Sequence, residues 1–384
     1  MMNRNNRLRR HFRSHKLIEP AVIVLAIWLF FDFDFSTSAA KANPQSRYAD
    51  PPVVANTDLL DQDGRKKKKK KKGDDDDNDG TRVKGGRPAP AFTIPAVVPG
   101  KHYAYFIAMG DWGTGSAAQR HVARLMNEKA GRDSLHFVVL LGDNFYSNGV
   151  TSIDDPQWQR KFETVYNLPF LNVPFFAALG NHDYKKNAWP EAQVEYSSRN
   201  TRWKMPARFY TFTRQLDSPA TIQFFALDTE ALNLKKWYDF ANDQVAWLEK
   251  ELAKSTATWK VAFGHHPIFS NGEHGPTPAM QKHIQPLLEK FQVDFYLCGH
   301  DHDRQLLQPV DGVRYLVSGT AAKSRDTVWA DNTVFAATDL GFIWLRVAAE
   351  EFHVQFIDKN GDIEFAYTLN KAERKSSVGT ADKE

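Results

Sequence analysis

Five times in this chain a run of apolar residues stops at a glycine, and a side chain able to hold a metal ion or a proton follows at once. The blocks are Gly110-Asp111-Trp112-Gly113, Gly142-Asp143-Asn144-Phe145-Tyr146, Gly180-Asn181-His182-Asp183, Gly264-His265-His266-Pro267 and Gly299-His300-Asp301-His302-Asp303. Polar groups at the carboxyl ends of buried strands converge on one crevice when the strands share an α/β framework. Glycine at each strand end lets neighbouring backbones approach closely. Any single block has the composition of an ordinary turn. Five in succession, each directly after an apolar run, define a site.

The rest of the pattern supplies the framework. Runs at 103–109, 135–141, 175–179, 222–227, 259–263, 294–298 and 315–317 read as buried strands. Helical spacing at 117–128, 157–165, 243–252 and 279–288 falls between several of them, which predicts an α/β fold. Closely spaced runs at 208–213 with 221–225, and at 334–336, 342–347 and 351–356, read as antiparallel, so the sheets are expected to be mixed.

Composition matters here for what it excludes. With 42% hydrophobic and 25% charged residues over 384 positions, the chain is a globular protein and not a coiled coil, a collagen or a multi-span membrane protein. The formal charge is +4, but residues 1–95 hold 19 Lys and Arg against 12 Asp and Glu, leaving 31 against 34 in residues 96–384. The body is therefore slightly acidic, and a nucleic-acid partner, which needs positive charge on the folded domain, is not expected. Cys298 is the only cysteine, so no intrachain disulfide and no thiolate metal site can form.

Three segments are expected. Residues 1–42 pair six basic side chains within the first 16 positions with the apolar run 21–31. At about 16 Å of helix that run falls short of a hydrocarbon core of about 30 Å, so a signal peptide cleaved near Ala40-Lys41-Ala42 is the first expectation. That reading makes the body secreted or lumenal. A single-pass membrane anchor extended over 17–35 is the alternative, and membrane contact is expected only through residues 1–35. Residues 43–95 carry seven consecutive lysines at 66–72 and the acidic run 74–77, a composition that reads as a disordered linker. Residues 96–384 form one catalytic domain.

Within the blocks the oxygen and nitrogen donors are Asp111, Asp143, Tyr146, Asn181, His265, His300 and His302. Seven exceed what one tetrahedral zinc takes and suit two adjacent ions bridged by a carboxylate. Oxygen and imidazole without thiolate fits iron, manganese or zinc. Asp183 is expected to hold a histidine or the loop backbone and not a metal, Asp303 receives no role, and His266 is expected at the rim, with contact to substrate as the alternative. Trp112, Trp189 and Trp203 are candidates for the cleft wall.

The blocks resemble those of the small, tartrate-resistant type of purple acid phosphatase, in the calcineurin-like metallophosphoesterase superfamily: DxG, GDxxY, GNH(D/E), VxxH and GHxH, in that order. The resemblance spans roughly residues 100–365. It implies a four-layer α/β/β/α sandwich, with a ferric ion, Fe(III), held by Asp111, Tyr146 and His302. A divalent iron, zinc or manganese ion is then held by Asn181, His265 and His300, with Asp143 bridging. It further implies that His182 and His274 face the substrate, and that small phosphate monoesters or phosphorylated peptides are hydrolysed by in-line attack of hydroxide on phosphorus, best at acidic pH. The sequence departs from the family at His265, four residues after Val261 instead of three, and at His266, where tyrosine is commoner. It also lacks the disulfide and any N-x-Ser/Thr sequon. A zinc or manganese phosphodiesterase or protein phosphatase of the same fold is the enzyme alternative, and a catalytically inactive metal-binding surface module is the alternative of a different class.

Overall fold

The computed structural model describes residues 89–234 and 237–373. In chain order its strands are β1 (Ala104–Met109), β2 (Phe137–Leu141), β3 (Phe175–Ala178), β4 (Trp203–Lys204), β5 (Tyr210–Gln215), β6 (Thr221–Ala226) and β7 (Trp259–Phe263). They continue as β8 (Phe295–Cys298), β9 (Arg304–Leu307), β10 (Arg314–Ser318), β11 (Thr333–Ala337), β12 (Phe342–Val347), β13 (Glu351–Ile357) and β14 (Ile363–Asn370). Two seven-stranded sheets result, ordered β14-β13-β12-β1-β2-β3-β4 and β11-β9-β10-β8-β7-β6-β5. Both are mixed. β1 to β4 run parallel while β12 joins β1 antiparallel, and β6, β7, β8 and β10 run parallel while β5 and β9 join antiparallel.

Parallel neighbours require crossovers, and these supply the helices. α1 (Ala117–Asp133) links β1 to β2, opened by Ser116, whose hydroxyl accepts the Gln119 N–H at 3.3 Å. The helix expected at 157–165 is a π-helical turn at Trp158–Glu163. α2 (Glu191–Arg199) and the short α3 (Glu230–Asn233) follow, and α4 (Tyr238–Lys254) carries the chain from β6 to β7. The single helix expected at 279–288 is two, α5 (Pro278–His283) and α6 (Gln285–Lys290), because Pro286 has no N–H to continue the ladder.

The sheets meet face to face through aromatic rings. Phe212 of β5 stacks on Phe176 of β3 at 3.8 Å and on Phe224 of β6 at 4.7 Å, while Phe137 of β2 meets Phe224 edge-on at 5.5 Å. Further along, Phe352 of β13 lies 4.2 Å from Phe295 of β8. On the outer face of the second sheet, Trp247, Leu248, Leu252, Met280, Ile284 and Leu288 pack against Phe225, Ala262, Tyr296 and Val317. On the first, the Lys129 ammonium of α1 lies over Trp344 of β12. The layers are helix, sheet, sheet, helix. The body is already in contact at Phe92, whose ring meets Phe365, and at Pro95, whose carbonyl accepts from Arg346.

The expectations of a signal peptide and a transmembrane segment are corrected here: among the described residues no helix is long and apolar enough to cross a membrane. Residues 17–35, on which both expectations fell, lie outside the described residues, as does the Lys and Asp tract.

Candidate metal centre

β1, β2, β3, β7 and β8 end at one edge of the sandwich, and their following residues form the site. Three site residues, Asp111, Asp143 and His300, take the left-handed backbone conformation, with φ of 59°, 51° and 71°. Such positions cost roughly 1–3 kcal/mol each and persist where surrounding structure holds them. The preceding glycines make that possible. A Cβ on Gly299 would stand 2.5 Å from Asp111 Oδ2, and one on Gly180 would fall on the Asp143 backbone nitrogen.

The seven expected donors come together in two halves. In one, the Tyr146 hydroxyl donates to Asp111 Oδ1 at 2.7 Å and lies 3.3 Å from His302 Nε2, itself 3.3 Å from Asp111 Oδ1. In the other, His265 Nε2 lies 3.1 Å from Asn181 Oδ1 and 3.1 Å from His300 Nδ1. Asp143 stands between them, with Oδ1 3.4 Å from His265 Nε2. Ligand atoms of Asp111, Asp143 and His265 all lie within 4.8 Å of one another.

The electrostatics fit a pair of cations. Asp111 and Asp143 are buried, and their ion-pair partners among the described residues are the imidazoles of His182, His265 and His302 alone. Buried carboxylates without a strong cation are costly. Although burial pushes the Asp143 carboxyl up, His265 and His182 and the donated hydrogen bonds hold it below the usual range, so it stays ionised. Burial and the two carboxylates push the Tyr146 phenol well above its ordinary value, so only a strongly polarising cation can compete for its proton. His265 Nδ1 can only donate to the Leu141 carbonyl, 2.9 Å away, which leaves the Nε2 lone pair facing Asn181 and His300. This donor set, without thiolate, suits iron with a second borderline ion.

His182 is held by its own N–H on Asp143 Oδ1 at 2.8 Å, and its Nδ1 donates to the Ser147 carbonyl at 2.6 Å. Nε2 therefore accepts from the Lys185 ammonium at 2.6 Å, and lies 3.9 Å from Asp143 Oδ2. His274 is exposed, stacked on His300 with centroids 4.4 Å apart, and anchored through its N–H to Asp301 Oδ1 at 2.7 Å.

Asp183 accepts the N–H groups of Gly180 and Asn144 at 2.9 and 3.0 Å, tying two ligand loops together. Asp303 is buried and receives the Gln305 amide. Other expectations need correction. His266 is buried at 5% exposure and is no rim residue: the Thr229 hydroxyl accepts the N–H groups of both His265 and His266, so its own proton goes to His266 Nδ1 at 2.8 Å. Trp112 and Trp203 do not line a cleft, being fully buried with Phe162 and Tyr166. Trp189 is at the surface. A separate cleft of about 750 Å³, lined by Lys129, Trp344 and Arg346, contains none of the expected site residues. Sequence reading missed Thr229, Asp301, Lys185, Lys323 and Arg325, which hold or border the site.

The calcineurin-like phosphoesterase family model matches residues 104–304, and the chain belongs to that family, related to the tartrate-resistant and purple acid phosphatases. It is 33% identical over 296 residues to tartrate-resistant acid phosphatase type 5 of Oryctolagus cuniculus, covering 69% of this chain and 90% of that one. With the Homo sapiens protein of that name it shares 32% over 315 residues, 74% of this chain and 96% of the other. Purple acid phosphatase 3 of Arabidopsis thaliana is 31% identical over 277 residues, covering 67% and 75%. Among solved structures the fold matches one titled GAP50, the anchor in the inner membrane complex of Plasmodium, with TM-score 0.64, 22% identity and coverage of 72% and 95%. It also matches purple acid phosphatase PPD1 of yellow lupin, with TM-score 0.55, 16% identity and coverage of 70% and 54%.

Proposed function

We propose that this protein is an acid phosphatase that releases phosphate from small monoesters, with phosphorylated peptides as further candidates, at a binuclear centre. The observation that carries the reading is Asp143 standing between the Asp111, Tyr146, His302 half and the Asn181, His265, His300 half. In that assignment the first half takes iron, the second takes the divalent ion, and Asp143 serves both. When bound, such a pair lowers the pKa of water and neutralises charge on the transferring phosphoryl group.

The chain's own residues do the rest. The buried carboxylates fix where the cations sit, and the hydrogen bond from His265 to Leu141 keeps its donor nitrogen turned inward. His182, with Nδ1 committed to Ser147, presents Nε2 beside Asp143 and within reach of the Lys185 ammonium. Once protonated in acid, the imidazolium can hand its Nε2 proton to the departing oxygen and return to the neutral form with Nδ1 still on Ser147. His274, stacked on His300 at the exposed edge, orients the phosphate.

The test is phosphate release from p-nitrophenyl phosphate by the full chain loaded with iron and a divalent ion, compared with Asp143→Asn. Turnover in acid that falls by about 10²-fold or more in the variant is expected. A loaded parent with no turnover overturns the reading.

A further inference from the structure

Three cations stand against His182, Tyr146 and His274 at the border of the metal centre. The Lys185 ammonium is 2.6 Å from His182 Nε2, Lys323 lies over the Tyr146 ring at 3.5 Å, and the Arg325 guanidinium is 2.9 Å from His274 Nε2. They come from two separate segments. Lys185 follows the 3₁₀ turn Asn181–Tyr184, and the segment holding Lys323 and Arg325 is tied to the ligand loop by the Arg325 N–H on the His302 carbonyl at 2.8 Å.

Among the described residues neither Lys185 nor Lys323 forms an ion pair, and Arg325 has the exposed Glu273 at 3.4 Å. An exposed pair of that kind contributes little. The carboxylates that act on Lys185 and Lys323 are Asp111, Asp143 and Glu230, of which bound metal ions would claim the first two. What remains is a cluster of three cations, opposed at its edges by Glu230 and the exposed Glu273, on a body whose formal balance is slightly acidic.

We propose that Lys185, Lys323 and Arg325 form a second anion subsite beside the metal centre, so that the preferred substrates are organic phosphates carrying a further phosphate, phosphonate or carboxylate. This rests on the phosphatase reading. The scissile group occupies the metals, His182 and His274, and the outer cations take the second anion.

The experiment compares matched probes on the metal-loaded full chain. By calorimetry, 1,4-xylylene bisphosphonate is compared with benzylphosphonate. In turnover, 4-(phosphonomethyl)phenyl phosphate is compared with 4-methylphenyl phosphate. The two-anion probe should be favoured about tenfold or more, the scale of one charged hydrogen bond. That preference should shrink with added salt, and shrink about tenfold in the Lys323→Met, Arg325→Met double variant, chiefly through KM. Equal affinity for both probes in the parent overturns the proposal without any variant. A double variant that loses both probes equally does so too, because the cations then act on the scissile phosphate. If neither ester is hydrolysed while the bisphosphonate is still preferred, the phosphatase reading fails and the subsite stands.

Discussion

Protonation of His136 gives a direct handle on the stability of the body. Its Nδ1 accepts the Tyr105 backbone N–H at 3.3 Å, and its ring meets the Tyr105 ring edge-on at 5.6 Å. Burial, with the Arg214 guanidinium adding to it, pushes this imidazole down to about 4, against an ordinary value of 6.5. A histidine depressed on folding favours the folded state above its unfolded pKa and loses that contribution as pH falls through the folded one, so the window is pH 6.5 to 4. A shift of about 2.5 units at about 1.4 kcal/mol per unit sets a ceiling of about 3 kcal/mol. His136→Asn keeps an acceptor near the Nδ1 position but does not titrate. Urea unfolding of parent and variant in steps from pH 8 to 4 should give a free-energy difference that is constant above about pH 7 and moves by about 2–3 kcal/mol against the parent by pH 4. Taking the difference removes carboxyls such as the half-buried Glu230 and the buried Asp303, pushed up to about 7, which work in the opposite sense by gaining stability as pH falls. A difference that stays within about 0.5 kcal/mol across the range refutes the reasoning.

Gly180→Ala places a methyl on the Asp143 backbone, so loss of metal binding together with a lowered melting temperature is expected, and a variant that binds metal normally contradicts the loop packing. His182→Asn should lower kcat about 10²-fold or more with a smaller change in KM, measured by steady-state kinetics. Phe212→Ala, which removes a ring stacked on both Phe176 and Phe224, should cost about 3–5 kcal/mol by denaturant unfolding while leaving metal content at saturation unchanged.

The strand-end blocks could be read from sequence because each combines two local signals, an apolar run and a glycine followed by a donor, that survive without knowledge of the fold. Direction was harder to read. Trp112 adjoins Asp111, yet the left-handed backbone at Asp111 turns the chain so that the indole enters the core and donates to Asn144 Oδ1 at 3.1 Å. β9 escaped notice because Arg304 and Gln305 are buried polar residues, bonded to Thr320, the Asp339 carbonyl, Ser270 and Asp303, so the apolar pattern is missing. Lys185, Lys323 and Arg325 carry no spacing signal, since isolated basic residues in loops acquire meaning only from what the fold sets beside them. His266 looked like a rim substitution and is instead an inner residue held by Thr229.

The central claim, two ions with Tyr146 on the iron, is tested most directly by metal analysis and visible absorption of the loaded full chain beside Tyr146→Phe. The expected result is about one iron and one divalent ion per chain, with a broad visible charge-transfer band in the parent that is absent from the variant. A single ion per chain, or a visible band that survives removal of the Tyr146 hydroxyl, contradicts it.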